Sequence, residues 1–585
     1  MSNKYVALTI GPIYQTAQKA RRTREFWAAS YVFSWIMKSV IQHLRTNGNV
    51  PVKSFILPYY PEQFETFDLK IGVGVWPDRL ILSADGNEFH ALQNAVNSTV
   101  EKLADETYKE FTRTEKAAYL KNQFEFVAPN TYVPIKNSFF KYFRLACLEI
   151  EERDLPAAGD SFVKKINYLL DHLELTAQIA PLEPDYMAYL LRAVHRSFFI
   201  KDAFHPRFKF ESLIEVATSD LRPINPTAYE EIVKADFDQK DKNEEQDLLD
   251  RLTSHPDFRK EMSTRHRYIA IVNADGDGIG KLLGKLGDDE EAVQSFSEDL
   301  IAFGIEANQI LAGDRHTENP QDYGYGAAPL YLGGDDLVFF APVARRNNHT
   351  GQFETVFHLI QKIDQAFAQT FKKYKEKGVV PTLSYGVSIS YYKYPLQEAM
   401  EESRRLLAQI KQDLPEYKDR NRINFKVLRH SGQHYGGIIN KNDSNLYSQW
   451  FLMLNQNLKD HAGQEIVKKK SVKDKENYAL IAGVAHKLDR MKDMLEVVLD
   501  RDTEKESRKG PDLYYQSLLD PLFLNQFSEK VHRNRAEKDR LSPFLEYLKD
   551  FIAISRLKTG KADLDLTYAL LRFIHLINSK DEDDA

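Results

Sequence analysis

The residues best suited to chemistry lie in YLGGDDLVFF, Tyr331 to Phe340, where two apolar runs flank Gly333, Gly334, Asp335 and Asp336. Such a pattern reads as a β-hairpin. Glycines supply turn dihedrals that other residues resist, and they let a ligand approach the backbone closely. Adjacent carboxylates at a hairpin tip repel each other, so they call for water or a cation, and hard divalent ions such as Mg²⁺ prefer oxygen ligands. Taken alone, a solvated turn gives the same pattern, because Gly and Asp are common in turns.

A second stretch adds to the first. A strand from Tyr268 to Asn273 ends in Ala274, Asp275, Gly276, Asp277, Gly278, Ile279 and Gly280, then enters a helix with Lys281. A glycine-rich turn opening a helix presents free N–H groups and the positive end of the helix dipole, which suits a triphosphate. A plain capped turn, with Asp275 or Asp277 as the cap, is the alternative. In a β-αα-β-β fold the first strand ends beside the central hairpin, so Asp275 would join Asp335 and Asp336. Three carboxylates around two cations is what two-metal phosphoryl transfer requires.

The elements around these residues read as an α+β protein of several domains. Residues 268–428 give the order β-αα-β-β-α-β, the ferredoxin-like split pattern, with extra elements at its end. Residues 5–111 read as strand, helix, two short strands and a second long helix, a related α+β unit. Placing YVALTIGP from Tyr5 over YIAIVNAD from Tyr268 sets Pro12 where Asp275 stands, so the first unit lacks that acid. The expected domains are an N-terminal palm-like unit (1–135), a helical insert (136–218), an exposed connector (219–264), a second palm-like unit (265–440) and a helical C-terminal domain (441–585).

Composition bounds the rest. At 585 residues, 43% hydrophobic and 28% charged, the chain is an ordinary multidomain globular protein. One cysteine, Cys147, excludes an internal disulfide framework and any multi-cysteine zinc site, and the cytoplasm is the expected compartment. No stretch reads as a membrane span or a secretory signal. With a formal net charge of −6, nucleic acid would be met by local basic patches. Candidates are Lys19, Arg21, Arg22 and Arg24 at the entry to the first long helix, and the run Lys468, Lys469, Lys470, Lys473 and Lys475, although both patterns also suit a solvated face.

Four stretches together, GGDDLVFFAP, DGDGIGKLL, LSYGVSISYYKYPL and the N-terminal IGPIYQTAQKARRTREFWAASYVFS, resemble the large subunit of type III CRISPR effector complexes, in its III-B branch. The hairpin itself resembles the GGDD variant of the motif in nucleotidyl cyclases and polymerase palms. The resemblance implies two ferredoxin-like palms and an antiviral, RNA-guided complex with guide RNA, target RNA and other CRISPR subunits as partners. Its second palm would act as a Mg²⁺-dependent (or Mn²⁺-dependent) nucleotidyltransferase, converting ATP to an adenylate second messenger with two metal ions. By position, Asp275, Asp335, Asp336 and the Gly276 backbone would hold metal. Gly333, Gly334, Asp277, Gly278, Ile279, Gly280 and Lys281 would bind nucleotide. Arg21, Arg24, Trp27 and Ser30 of the first palm would form the acceptor or second-nucleotide site.

Two departures from the family pattern stand out. Many members begin with an HD nuclease domain, whereas this chain contains no His-Asp dipeptide, so DNA cleavage is not expected. Members often carry a cysteine zinc site in the insert, which a single cysteine cannot build. The product would be a cyclic oligoadenylate, or AMP conjugated to an acceptor such as S-adenosylmethionine. A non-catalytic ribonucleoprotein scaffold and a free-standing diguanylate cyclase are the competing readings.

Overall fold

A computed structural model of the chain describes residues 3–62, 72–113, 132–157, 161–176, 186–192, 210–238, 244–313, 324–346, 353–412, 420–457, 484–493, 495, 535–555 and 563–579. The lysine run at 468–475 lies outside them.

The first palm is a sheet of β1 (Lys4–Gly11), β2 (Phe55–Leu57), β3 (Arg79–Ala84) and β4 (Arg144–Glu151). Its strand order is β2-β3-β1-β4, and every pairing is antiparallel. β1 is buried along seven of its eight residues, as expected for a central strand with apolar side chains on both faces. Helices α1 (Ile13–Ala17) and α2 (Thr23–Thr46) follow β1, and α3 (Glu88–Arg113) follows β3. α2 buries Phe26, Trp27, Val32, Phe33, Trp35 and Ile36 around most of its circumference, because it packs against its own palm and against the second.

β4 corrects the expected insert boundary. Residues 136–218 read as wholly helical, yet Arg144–Glu151 pairs with the full length of β1 and completes the first sheet. The remainder is helical where described: α4 (Tyr132–Tyr142), α5 (Phe162–Thr176), α6 (Tyr186–Arg192) and α7 (Leu213–Ala217).

The supposed connector is folded as well. α8 (Pro226–Asp238) and α9 (Glu244–Ser254) bury Tyr229, Val233, Leu248, Leu249 and Leu252 with Phe258 and Met262. At its start, Asp220 accepts from Arg265 Nη2 at 3.2 Å and faces His266 Nε2 at 3.0 Å. This buried knot ties the helical pair to the strand that follows. Burial would raise the Asp220 carboxyl, but His266 and the Arg265 guanidinium beside it hold it below the usual range.

The second palm contains β5 (Tyr268–Asp277), β6 (Ala328–Gly333), β7 (Asp336–Pro342), the small pair β8 (Ala344–Arg346) and β9 (Phe353–Thr355), then β10 (Thr382–Tyr391), β11 (Arg422–Leu428) and β12 (His434–Asn440). Its main sheet runs β12-β11-β10-β5-β7-β6, so its first four elements repeat the wiring of the first palm. Helices α10 (Ile279–Leu286), α11 (Glu290–Ala312), α12 (Val356–Thr370) and α13 (Leu396–Lys411) cover it. α13 carries the chain from β10 into β11, which pairs parallel to β10 as a crossover connection requires. After β12 come α14 (Ser444–Asn457), α15 (Arg535–Ile554) and α16 (Leu564–Asn578). Phe357 of α12 meets Trp450 and Phe573 edge-on, each at 5.1 Å between ring centroids, joining this helical end to the palm. Among the described residues no helix is long and apolar enough to cross a membrane.

Candidate active site

Strand register brings the acids together. The β5–β7 ladder runs from Ile269 opposite Pro342 to Ala274 opposite Leu337, so Asp275 and Asp336 follow at its open end. On the other side Gly333 pairs with Asp336, closing a two-residue turn of Gly334 and Asp335. Gly334 has φ +74°, the positive value that primed hairpin turns need and that glycine adopts without strain. Gly276 is required for close approach: a Cβ there would lie 2.5 Å from Asp335 Oδ2. Asp335 is therefore folded over the backbone that follows Asp275.

Crowding of like charges in a recess raises both hairpin carboxyls. Burial first, and Asp275 next, push Asp335 up to about 6. Asp336 is raised well above the usual carboxylate range by burial, then by Asp335, by Asp275 and by Asp78 of the first palm. Asp336 also keeps open surface. The two facts agree if it stands at the floor of a cleft, where protein atoms surround the carboxyl and water still reaches it.

A lysine missed in the sequence adjoins this group on its Asp275 side. Lys411, the last residue of α13, places Nζ 2.6 Å from Asp275 Oδ2 and 2.7 Å from Asp277 Oδ1. It also donates to the carbonyls of Gly276 at 2.8 Å and Asp275 at 3.1 Å. No pattern around residue 411 flags it, because its partners lie well over a hundred residues away and only the β5–β10–β11 arrangement brings them close.

β5 extends to Asp277, beyond the Asn273 end expected, so Asp275 and Asp277 sit within the strand. Asp277 accepts from Ser384 Oγ at 2.7 Å, Thr382 Oγ1 at 3.1 Å and the Asn421 N–H at 3.0 Å, besides Lys411. Its carboxylate is filled from within the protein and only 7% exposed, so it anchors the strand end and does not flank a phosphate. Gly278, at φ +82°, starts α10, and Gly280 and Lys281 are exposed, with open space where a Gly280 side chain would be. Ile279 packs beside Gly276.

The acceptor candidates divide. Trp27 is fully buried, stacked on Tyr31 at 4.9 Å and donating from Nε1 to the Gly72 carbonyl at 3.0 Å, so it is a core residue and not an aromatic wall. Arg21 is exposed, while Arg24 and Ser30 are half-buried on the same helix entry. That entry is joined to the second palm through α13. Gln397 Nε2 donates to the carbonyls of Gln18 at 2.6 Å and Ala20 at 2.7 Å, and Tyr14 donates to Glu401 at 2.6 Å.

Every atom that accepts from Lys411 Nζ is oxygen, the ligand atom that hard divalent ions prefer. The cage is not closed: among the described residues no three His, Cys, Asp or Glu side chains stand together as a formed metal site. Asp275 is instead paired with Lys411.

Residues 268–424 match the family described as Cas10/Cmr2, second palm domain, and residues 5–150 match CRISPR-associated protein Cmr2, N-terminal. The CRISPR system Cmr subunit Cmr2 of Pyrococcus furiosus is 24% identical over 195 residues, covering 31% of this chain and 21% of that protein. The alignment thus spans about a fifth of the relative's length, 21%. Among solved structures, the Type III-B Cmr-beta complex bound to cognate target RNA aligns at 12% identity and TM-score 0.49, over 99% of this chain and 83% of that one. A Csm1–Csm4 cassette in complex with cA3 aligns at 11% identity and TM-score 0.46, over 98% and 69%.

Proposed function

Since this chain belongs to the Cas10/Cmr2 family of type III CRISPR large subunits, we propose that its second palm transfers the adenylyl group of ATP to a nucleotide or related acceptor. The observation that carries the reading is the convergence of Asp275, Asp335 and Asp336 at the open end of the β5–β7 ladder, with Asp275 also paired to the Lys411 ammonium. Asp275, Asp335, Asp336 and the Gly276 carbonyl would hold Mg²⁺ or Mn²⁺. When bound, such ions lower the pKa of an attacking hydroxyl and neutralise charge on the transferred phosphate.

The chain's own residues bind and orient. Gly334 keeps the hairpin tip thin where a nucleotide would approach, whereas Gly333, expected to do the same, is buried with the Tyr331 ring lying where its side chain would be. Gly278 and the exposed start of α10 offer free N–H groups to phosphate oxygens, with Lys281 at the same helix end. Asp277 fixes the end of β5 so that Asp275 keeps its position. Arg21 and Arg24 of the first palm would receive the acceptor, with the neighbouring loop held to α13. The product would be a cyclic oligoadenylate, or an AMP conjugate with an acceptor such as S-adenosylmethionine. Guide RNA, target RNA and further CRISPR subunits would be the partners that license turnover, since phosphoryl transfer depends mainly on positioning.

The test is to assemble the complex with guide RNA, add target RNA and labelled ATP with and without candidate acceptors, and identify products by mass. An adenylate product that disappears with Asp335→Ala/Asp336→Ala supports the reading. An assembled, target-bound complex that makes none would favour the scaffold role.

A further inference from the structure

We propose that Lys411 is the resting counter-cation of this site: its ammonium occupies oxygens that a divalent ion would take, and releases them when the metal-nucleotide enters. The inference rests on the adenylyl-transfer reading above and deepens it. Nζ has four oxygens within 3.1 Å: Asp275 Oδ2, the Asp275 and Gly276 carbonyls, and Asp277 Oδ1. An ammonium has three N–H donors, so four acceptors exceed what directed hydrogen bonds alone can satisfy.

Its two ends differ in how easily they let go. Asp277 is locked by Ser384, Thr382 and the Asn421 N–H and is 7% exposed, whereas Asp275 is 37% exposed, with the Lys411 contact as its ion pair. Asp275 is thus the exchangeable ligand and Asp277 the fixed one. The lysine's backbone does not need to travel. α13 packs on β5, β10 and β11, and its first half is gripped by the first palm through Gln397 and Glu401. A swing of the flexible four-carbon stem suffices to move the charge.

An acidic cluster left without a counter-ion would repel itself apart. The tethered ammonium keeps it assembled before substrate arrives, at the cost of competing with the incoming ion. Lys411 is then a positioning residue whose removal tightens binding of a bare divalent ion. A purely structural lysine would not do this.

The experiment uses the full-length chain and Mn²⁺ alone, followed by electron paramagnetic resonance, for the wild type, Lys411→Met and Lys411→Arg, with Lys411→Gln as a second neutral variant. Thermal unfolding of each confirms that it is folded. Both neutral variants should bind Mn²⁺ about tenfold more tightly without nucleotide, and Lys411→Arg should not. Adding Asp335→Ala/Asp336→Ala to Lys411→Met should abolish the gain. Unchanged or weaker Mn²⁺ binding in folded neutral variants, with wild-type binding still dependent on Asp335 and Asp336, would overturn the counter-cation role and leave the active-site reading standing. Mn²⁺ binding indifferent to Asp335 and Asp336 throughout would overturn both.

Discussion

Gly11 and Pro12, at and just after the end of β1 in the first palm, stand where β5 of the second palm carries Ala274 and Asp275, although the two strands occupy the same place in the same wiring. The hairpin positions diverge in parallel. With Val6 set over Ile269, their partners Leu82 and Pro342 correspond. Counting back along the chain then puts Gly74 at Gly334, Val75 at Asp335 and Trp76 at Asp336. Val75 and Trp76 are 2% and 4% exposed. One palm fills these positions with packing and the other with charge. Apolar residues along the strands therefore maintain the fold, while a few residues at the strand ends decide whether it can do chemistry.

Asp335→Ala/Asp336→Ala should break the second palm's side of this contrast most sharply. Product formation by the assembled complex should fall by about 10³-fold or more with assembly intact, since metal ligands are lost and no core packing is. Comparable turnover in the double variant would remove the assignment. The corresponding change in the first palm, Trp76→Ala, should act in the opposite currency, costing about 3–5 kcal/mol of stability through a lost buried aromatic. Denaturant unfolding reads it, and a loss below about 1 kcal/mol would mean that the residue is not core.

A smaller effect is expected from Arg21→Ala/Arg24→Ala. Acceptor use should weaken about tenfold in kcat/KM, roughly 1.4 kcal/mol, while ATP binding at the second palm stays unchanged. Equal loss for both ligands, or for neither, would dissolve the division of labour between the palms. The smallest effect concerns pH. Asp335 is raised to about 6 in the folded chain from 3.8, so its ionised form is disfavoured by folding above about 6, and the penalty is relieved as pH falls toward 4. This group's contribution should raise the melting temperature of the metal-free chain between pH 7 and pH 5, by about 2–4 °C per kcal/mol relieved. Identical pH slopes for wild type and Asp335→Asn would refute it.

Strands β5, β6, β7, β10 and β11 of the second palm were legible because each is a short apolar run bounded by turn residues, and Asp275 with the GGDD hairpin was legible because strand order alone predicts their meeting. β4 was not: its residues RLACLEIE are only half-buried, so no strong two-residue alternation separates it from the helices around it. β12 escaped because Gly436 and Gly437 interrupt its apolar pattern. Within the stretch 219–264, expected as a connector, Pro226 occupies the first position of α8, where its missing N–H costs nothing. Trp27 was misjudged because neighbouring arginines implied exposure, while its helix is enclosed by two palms. Lys411 depends entirely on tertiary arrangement and carries no local signal.

The edge of the hairpin has a neighbour from the other lobe. β6 is the outer strand of the second sheet, yet the Leu332 N–H donates to the Gly74 carbonyl at 2.9 Å, and Gly74 bridges Tyr331 in parallel fashion. An outer strand with unpaired N–H groups would otherwise be a template for another chain. Here the position equivalent to Gly334 in the first palm seals that seam, two residues from the Gly334–Asp335 turn. In mechanical terms the hairpin belongs to both lobes, so a slide of one palm past the other loads as shear on a backbone bond close to Asp335 and Asp336.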